Sequence, residues 1–258
     1  QLKTEEQNLK IAVMGDVGKI SAGDFTPAEE SPINIVRLAT REQDLDDAIS
    51  IANKLSKKGY TTTINLMATI NYSEEQLTNA TKKLRDSSVD IVYVADSFGQ
   101  MYPQDTKRLI HRLAETGKPV GFHAHNNQQL AFANTMAAIE AGAEYVDSTI
   151  AGMGRGSGNL PTELLLPFLN RSEKRYSMKP ILEFLDDKIV PLREEMEWGP
   201  NAGNMLSGQQ GVHPNYASGA TELGLSLSQI YKLLPRLKGQ LSFNQKILSE
   251  AINEVQND

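Results

Sequence analysis

Cysteine is absent from all 258 residues. Disulfides, zinc–thiolate sites, iron–sulfur clusters and cysteine nucleophiles are therefore excluded together. Positive charge is in deficit, with 26 Lys and Arg against 32 Asp and Glu, a net charge of -6. That balance argues against a nucleic-acid polyanion as the main partner. It leaves room for a small anion, because a metal or a local arginine sets the field inside a pocket. No apolar run approaches the ~18 residues of a membrane helix. The opening Gln1-Leu2-Lys3-Thr4-Glu5-Glu6 is no signal peptide, so no membrane partner and a cytoplasmic location are expected. In that setting the Asn-x-Ser/Thr triplets at Asn71, Asn79 and Asn170 read as coincidence. Two nucleotide signatures are also lacking: there is no Walker A lysine motif and no G-x-G-x-x-G after a first strand.

What is present is a rhythm. Short apolar runs at 10–14, 33–39, 61–66, 90–95, 120–123 and 145–150 alternate with stretches of helical periodicity at 44–55, 73–84, 103–114 and 129–141. Ser73-Glu74-Glu75-Gln76 opens the second of these with a capping box. Strand–helix alternation every ~30 residues predicts parallel βα units. Polar residues gather at the ends of several different strands, namely Arg37, Asn65, Asp96-Ser97, His123/His125 and Asp147-Ser148. Spreading groups over many strand ends is the habit of a TIM (β/α)8-type barrel, whereas an open sheet concentrates its ligands at one switch point. A barrel needs eight strands and six are visible, so two βα units are expected to be missing from this chain. The barrel domain is predicted over 1–170. A helical C-terminal extension is predicted over 171–258, with helices at 180–195, 226–237 and 242–255 and a loop at 198–211. The extension packs on the barrel or serves self-association as a homo-oligomer.

The most telling stretch is His123-Ala124-His125-Asn126, which holds two of only four histidines. On an extended strand, side chains at i and i+2 leave the same face, so both imidazoles can converge on one ion. The competing reading is two buried histidines, each satisfied by backbone. Gly152-Met153-Gly154-Arg155-Gly156-Ser157-Gly158-Asn159 follows the last strand. It reads either as a turn with Asn159 capping the next helix, or as backbone that approaches a ligand and presents Asn159. Beside the histidine pair the second reading gains: two imidazoles and an amide oxygen on adjacent strand ends make three ligands for a divalent cation.

Gly121-Phe122-His123-Ala124-His125-Asn126-Asn127, Ala141-Gly142-Ala143-Glu144-Tyr145-Val146-Asp147 and the glycine loop resemble the DRE-TIM metallolyases. That superfamily includes hydroxymethylglutaryl-CoA lyase, isopropylmalate synthase and 4-hydroxy-2-oxovalerate aldolase. Val36-Arg37-Leu38-Ala39-Thr40 and Val94-Ala95-Asp96-Ser97-Phe98-Gly99 look most like the aldolase branch. The resemblance implies a divalent metal, Mn2+ or Mg2+, held by His123, His125 and Asn159. It implies a 2-oxo acid chelated through its carboxylate and keto oxygens, with an aldehyde or acyl donor as second substrate. Breaking or making a carbon–carbon bond beside a ketone generates an enolate, and a Lewis acid stabilises its charge. Arg37 and Ser97 are then candidates to bind the substrate carboxylate, with Asp96 either orienting them or forming a turn. His213 and Tyr216 are candidates for proton transfer, a solvated loop being the alternative.

The family's first strand carries an Asp-x-Thr-Leu-Arg-Asp-Gly-like motif that nothing here matches. Three functions follow in order: a metal-dependent aldolase, a Claisen-type acyltransferase, and a barrel module without catalysis.

Overall fold

The computed structural model describes residues 9–172, 175–196 and 198–256. Six strands form one sheet in sequence order, β1 (Ala12–Asp16), β2 (Ile35–Thr40), β3 (Thr61–Met67), β4 (Ile91–Asp96), β5 (Val120–Ala124) and β6 (Tyr145–Val146). The first three pairings are parallel, with Ile35 opposite Ala12 and Thr61, and Thr63 opposite Ile91. All six residues of β4 are buried, as a strand covered on both faces requires.

Helices follow most strands: α1 (Leu45–Ser56), α2 (Glu74–Arg85), α3 (Pro103–Ala114), α4 (Ala131–Glu140) and α5 (Thr162–Leu169). The helical spacing reads through directly, since α1 buries Leu45, Ala48, Ala52 and Leu55. The capping box at Ser73 forms, its hydroxyl accepting from the Gln76 amide at 3.1 Å. Strand β6 is shorter than expected. Beyond Val146 the chain leaves the ladder and bonds to the segment after the glycine loop: the Thr149 amide donates to the Leu160 carbonyl, and Thr162 donates back to Thr149.

The chain divides into two compact units, and the division does not fall at residue 170. The first unit, Gln1–Ala95, Lys107–Phe122 and Ala138–Tyr145, holds most of the sheet. The second, Asp96–Thr106, His123–Ala137 and Val146–Asp258, takes the last residues of β4, β5 and β6 together with everything after them.

Helices dominate the second unit. α6 (Lys179–Phe184) and α7 (Val190–Glu195) are joined by a π-helical turn, Leu185–Ile189. Pro191 has no N–H to give to the preceding turn, and the wider winding accommodates that loss. The loop expected at 198–211 is instead largely helix, α8 (Ala202–Gln210). Asn201 caps it by accepting from the Asn204 amide at 2.8 Å, and Gly211 ends it in the left-handed conformation. Its interior glycine Gly208 is there for contact: a Cβ would meet the Gly99 carbonyl at 2.9 Å and Asn127 at 3.0 Å. α9 (Pro214–Glu222), α10 (Leu227–Leu233) and α11 (Gln245–Gln256) close a core of Tyr216, Ile230, Leu233, Leu234, Leu237 and Leu248. Each such side chain contributes about 1.5–3 kcal/mol by burial. Among the described residues, no helix is long and apolar enough to cross a membrane.

Candidate metal and substrate site

The functional candidates of the second unit assemble at the end of β5. The rings of His123 and His125 stand 5.0 Å apart, centroid to centroid, nearly perpendicular. Alternation along the strand produces this: the Ala124 side chain goes to the opposite, buried face. Two imidazoles bound to one cation at about 2.1 Å, and 90–110° apart, would have centroids roughly 4.6–5.3 Å apart. The observed pair fits that range.

Each ring has a second partner that fixes its tautomer. His123 Nδ1 lies 2.9 Å from Asp147 Oδ2. A carboxylate only accepts, so Nδ1 carries the hydrogen and Nε2 keeps its lone pair. A ring N–H of His125 donates to the Gly158 carbonyl. Burial, followed by the neighbouring charges of His123 and Arg155, holds the His125 pKa well below its usual value, against that hydrogen bond. His125 is therefore neutral at pH 7, the form that ligates metal. A ligating histidine that gives its other N–H to a carboxylate or a carbonyl is the usual outer-shell arrangement.

The glycine loop docks on this strand end. Gly158 accepts from the Asn126 amide at 2.8 Å, and His125 and Asn159 form an isolated antiparallel bridge. Asn159 donates its Nδ2 to the Met153 carbonyl at 3.1 Å, which fixes which way the amide faces. Its Oδ1 is buried without a hydrogen-bond partner. A buried orphan acceptor beside two imidazoles with available lone pairs is what a cation would complete. The residues present thus fit a divalent metal. Among the described residues no group of three or more His, Asp or Glu joins as ligands.

The other expected residues fall differently. His213 enters the same cluster. Its ring packs edge-on against Phe98, its Nδ1 accepts from the Asn215 amide at 3.2 Å, and its Nε2 lies 3.4 Å from Arg155 Nη1. The Nδ1 contact is an N-cap for α9, so His213 sits at a helix start and not in a solvated loop. Ser97 gives its backbone carbonyl to Arg155 Nη2 at 2.9 Å. Tyr216 is fully buried, donates to the Ser242 carbonyl at 3.0 Å and accepts from the Asn244 amide at 3.2 Å. Its hydroxyl clamps two loops of the helical core, which is a packing role in place of proton transfer. Arg37 belongs to the first unit, its guanidinium 4.4 Å above the Tyr93 ring.

Asp96 is a turn former. Its carboxylate accepts from the amides of Gln100 at 2.9 Å and Met101 at 3.2 Å, which leaves it no part in binding substrate. Burial pushes its pKa up to about 7, against those amides and that of Gly99, which favour the charged form. A carboxyl that holds its proton more tightly when folded stabilises the fold below the unfolded pKa near ~4 and loses that contribution as pH rises through about 7. Urea unfolding of wild type and Asp96→Ala should therefore differ most near pH 4. A difference that grows toward pH 8 would contradict this assignment.

Two residues were not singled out from the sequence. Asp147 was visible only as one of several strand-end polar residues, and its pairing with His123 depends on how β5 and β6 align. Arg155 was visible only as part of the glycine loop.

Parallel βα units with a polar constellation where the strands end define an α/β protein of the barrel type. The chain belongs to the HMGL-like family, whose model matches residues 2–184. It is 37% identical over 193 residues to 4-hydroxy-2-oxovalerate aldolase of Carboxydothermus hydrogenoformans, covering 72% of this chain and 56% of that protein. It is 34% identical over 151 residues to oxaloacetate decarboxylase of Mycobacterium tuberculosis, covering 58% of this chain and 43% of the relative. Among solved structures, the N-terminal domain of a candidate aldolase from Bacteroides vulgatus superposes with a TM-score of 0.77 at 30% identity, covering 87% of this chain and 76% of that one. The chain spans roughly half to two thirds of the length of the first curated relatives it matches, 56%, 48% and 64%.

Proposed function

We propose that the protein is a divalent-metal-dependent carbon–carbon lyase of the aldolase type, acting on a 2-oxo acid. The observation that carries this reading is the imidazole pair, with both second nitrogens already committed, facing an Asn159 oxygen that has no partner. His123, His125 and Asn159 would hold Mn2+ or Mg2+. When bound, such a cation supplies Lewis-acid stabilisation of the negative charge that develops on the keto oxygen as the adjacent bond is made or broken.

The chain's own groups do the rest. Asp147 and the Gly158 carbonyl hold the imidazoles in the tautomers that leave a lone pair available. His213 moves a proton. Because its Nδ1 accepts from the Asn215 amide, Nε2 is the nitrogen that carries hydrogen. In condensation that N–H would be donated to the oxygen of the acceptor carbonyl, and in cleavage the same nitrogen takes the proton back. Ser97, at the turn that supports Arg155, would offer its hydroxyl to the substrate carboxylate.

One fact favours a second reading, a barrel module without catalysis: among the described residues no carboxylate joins the two imidazoles as a ligand. The two readings separate in a single measurement on the full-length protein. Exchange of the pyruvate methyl protons with deuterium, followed by NMR, reports enolate formation without knowledge of the second substrate. Mn2+-dependent exchange that is lost in His125→Ala is expected. Tight Mn2+ binding with no exchange would overturn the aldolase reading. Release of free CoA on adding acetyl-CoA to a 2-oxo acid would point to Claisen chemistry.

A further inference from the structure

We infer that Arg155 selects an anionic partner substrate: the carbonyl compound joined to, or released from, the 2-oxo acid carries a carboxylate that docks on this guanidinium. The inference rests on the aldolase reading above. Arg155 stands in the middle of the glycine loop. Its Nη2 is tied to the Ser97 carbonyl, and among the described residues it makes no ion pair with an Asp or Glu. It lies close enough to His125 for its charge to disfavour protonation there. A guanidinium without a carboxylate, in a protein of net charge -6, sits beside two imidazoles that gain nothing from its charge.

The contact with His213 sharpens the point. With the Asn215 amide on Nδ1, the hydrogen of His213 is on Nε2, and that nitrogen faces Arg155 Nη1 at 3.4 Å. An N–H faces an N–H. Two donors in that arrangement are reconciled by an acceptor that serves both, and a carboxylate offers two oxygens in the plane a guanidinium fork prefers. The 2-oxo acid's own carboxylate is already assigned to the cation. His213 is the group that serves the oxygen of the partner carbonyl, so an anion at Arg155 belongs to the partner, a bond or two from that oxygen. The substrate class is thus an aldehyde or ketone bearing a carboxylate. The reaction balances without a redox partner. C3 of the 2-oxo acid loses a proton and forms a bond to the acceptor carbonyl carbon, and the acceptor oxygen gains a proton to become a hydroxyl.

The test compares glyoxylate with acetaldehyde as acceptors for pyruvate, using full-length, Mn2+-loaded wild type, Arg155→Gln and Arg155→Lys. Glycolate binding to the metal-free proteins, followed by ligand-observed NMR, is measured in parallel. In Arg155→Gln, kcat/KM with glyoxylate should fall at least tenfold while acetaldehyde stays within twofold. Glycolate binding should weaken by a similar factor, and Arg155→Lys should recover part of both. Equal losses with both acceptors, or no loss with either, would overturn the inference and leave the aldolase reading standing. Should wild type condense neither acceptor, the aldolase reading loses its support and glycolate alone decides. Binding that depends on Arg155 keeps the anion site, and binding indifferent to it removes the site. If Arg155→Gln does not fold, Arg155→Lys carries the same comparison.

Discussion

Mn2+ affinity should fall at least a hundredfold in His125→Ala and in His123→Ala, with far-UV circular dichroism unchanged, while His111→Ala on the exposed side of α3 has no effect. Removing one of three ligands takes away a metal–nitrogen bond that no neighbouring group replaces. The only carboxylate at hand, Asp147, is turned to the far nitrogen of His123. Asp147→Asn should weaken binding by about 10–100-fold, the range for outer-shell partners. The fold has little stake in these side chains. The Gly158 carbonyl keeps its bond from the Asn126 amide when His125 is shortened, so the loop stays docked. Calorimetric titration in the full-length protein reads all four variants. Binding that survives both histidine replacements would remove the proposed ligands, whatever the activity of the protein.

The order of those effects could not be read from the sequence, although the ligands could. His-x-His on a strand is legible because alternation is a local rule, satisfied by any extended backbone. Asn159 is legible because glycines force its loop close to whatever lies beneath. Asp147 is not, because its reach to His123 depends on two strands aligning across 24 residues of sequence. Tyr216 and His213 show the same limit from the other side. Three residues apart in the chain, they were indistinguishable as candidates. The structure gives the tyrosine hydroxyl two backbone partners and puts the histidine beside Arg155. The helix at Ala202–Gln210 was hidden by its own composition. Gly203, Gly208 and Asn204 punctuate it like a loop, yet there the lack of a side chain permits close packing and the asparagine is buried. Strand positions came through best, since apolar runs of that length have few other places to go in a parallel sheet.

Gly158→Ala should do more damage than any other single methyl added to the glycine loop. At φ +84° an L-residue costs about 1–2 kcal/mol from backbone sterics alone. The new Cβ would also point at the Gly152 carbonyl oxygen, with no room for both. That oxygen is the acceptor for the Asn159 amide at 2.9 Å, so relieving the clash breaks the bond that seats Asn159. The Gly158 carbonyl moves with it, and this carbonyl serves both the Asn126 amide and the His125 ring. One methyl therefore disturbs the amide ligand and the tautomer of an imidazole ligand together. We expect a loss on the order of 3 kcal/mol or more in urea unfolding, together with a fall in Mn2+ affinity comparable to that of a lost ligand. Gly117→Ala is the matched control. It has φ +72° and nothing within 4 Å of the added carbon, so it should show the backbone cost alone, about 1 kcal/mol, and unchanged Mn2+ binding. If the two variants behaved alike, the close approach of the loop to the strand end would not be what presents Asn159, and the turn reading of the glycines would take its place.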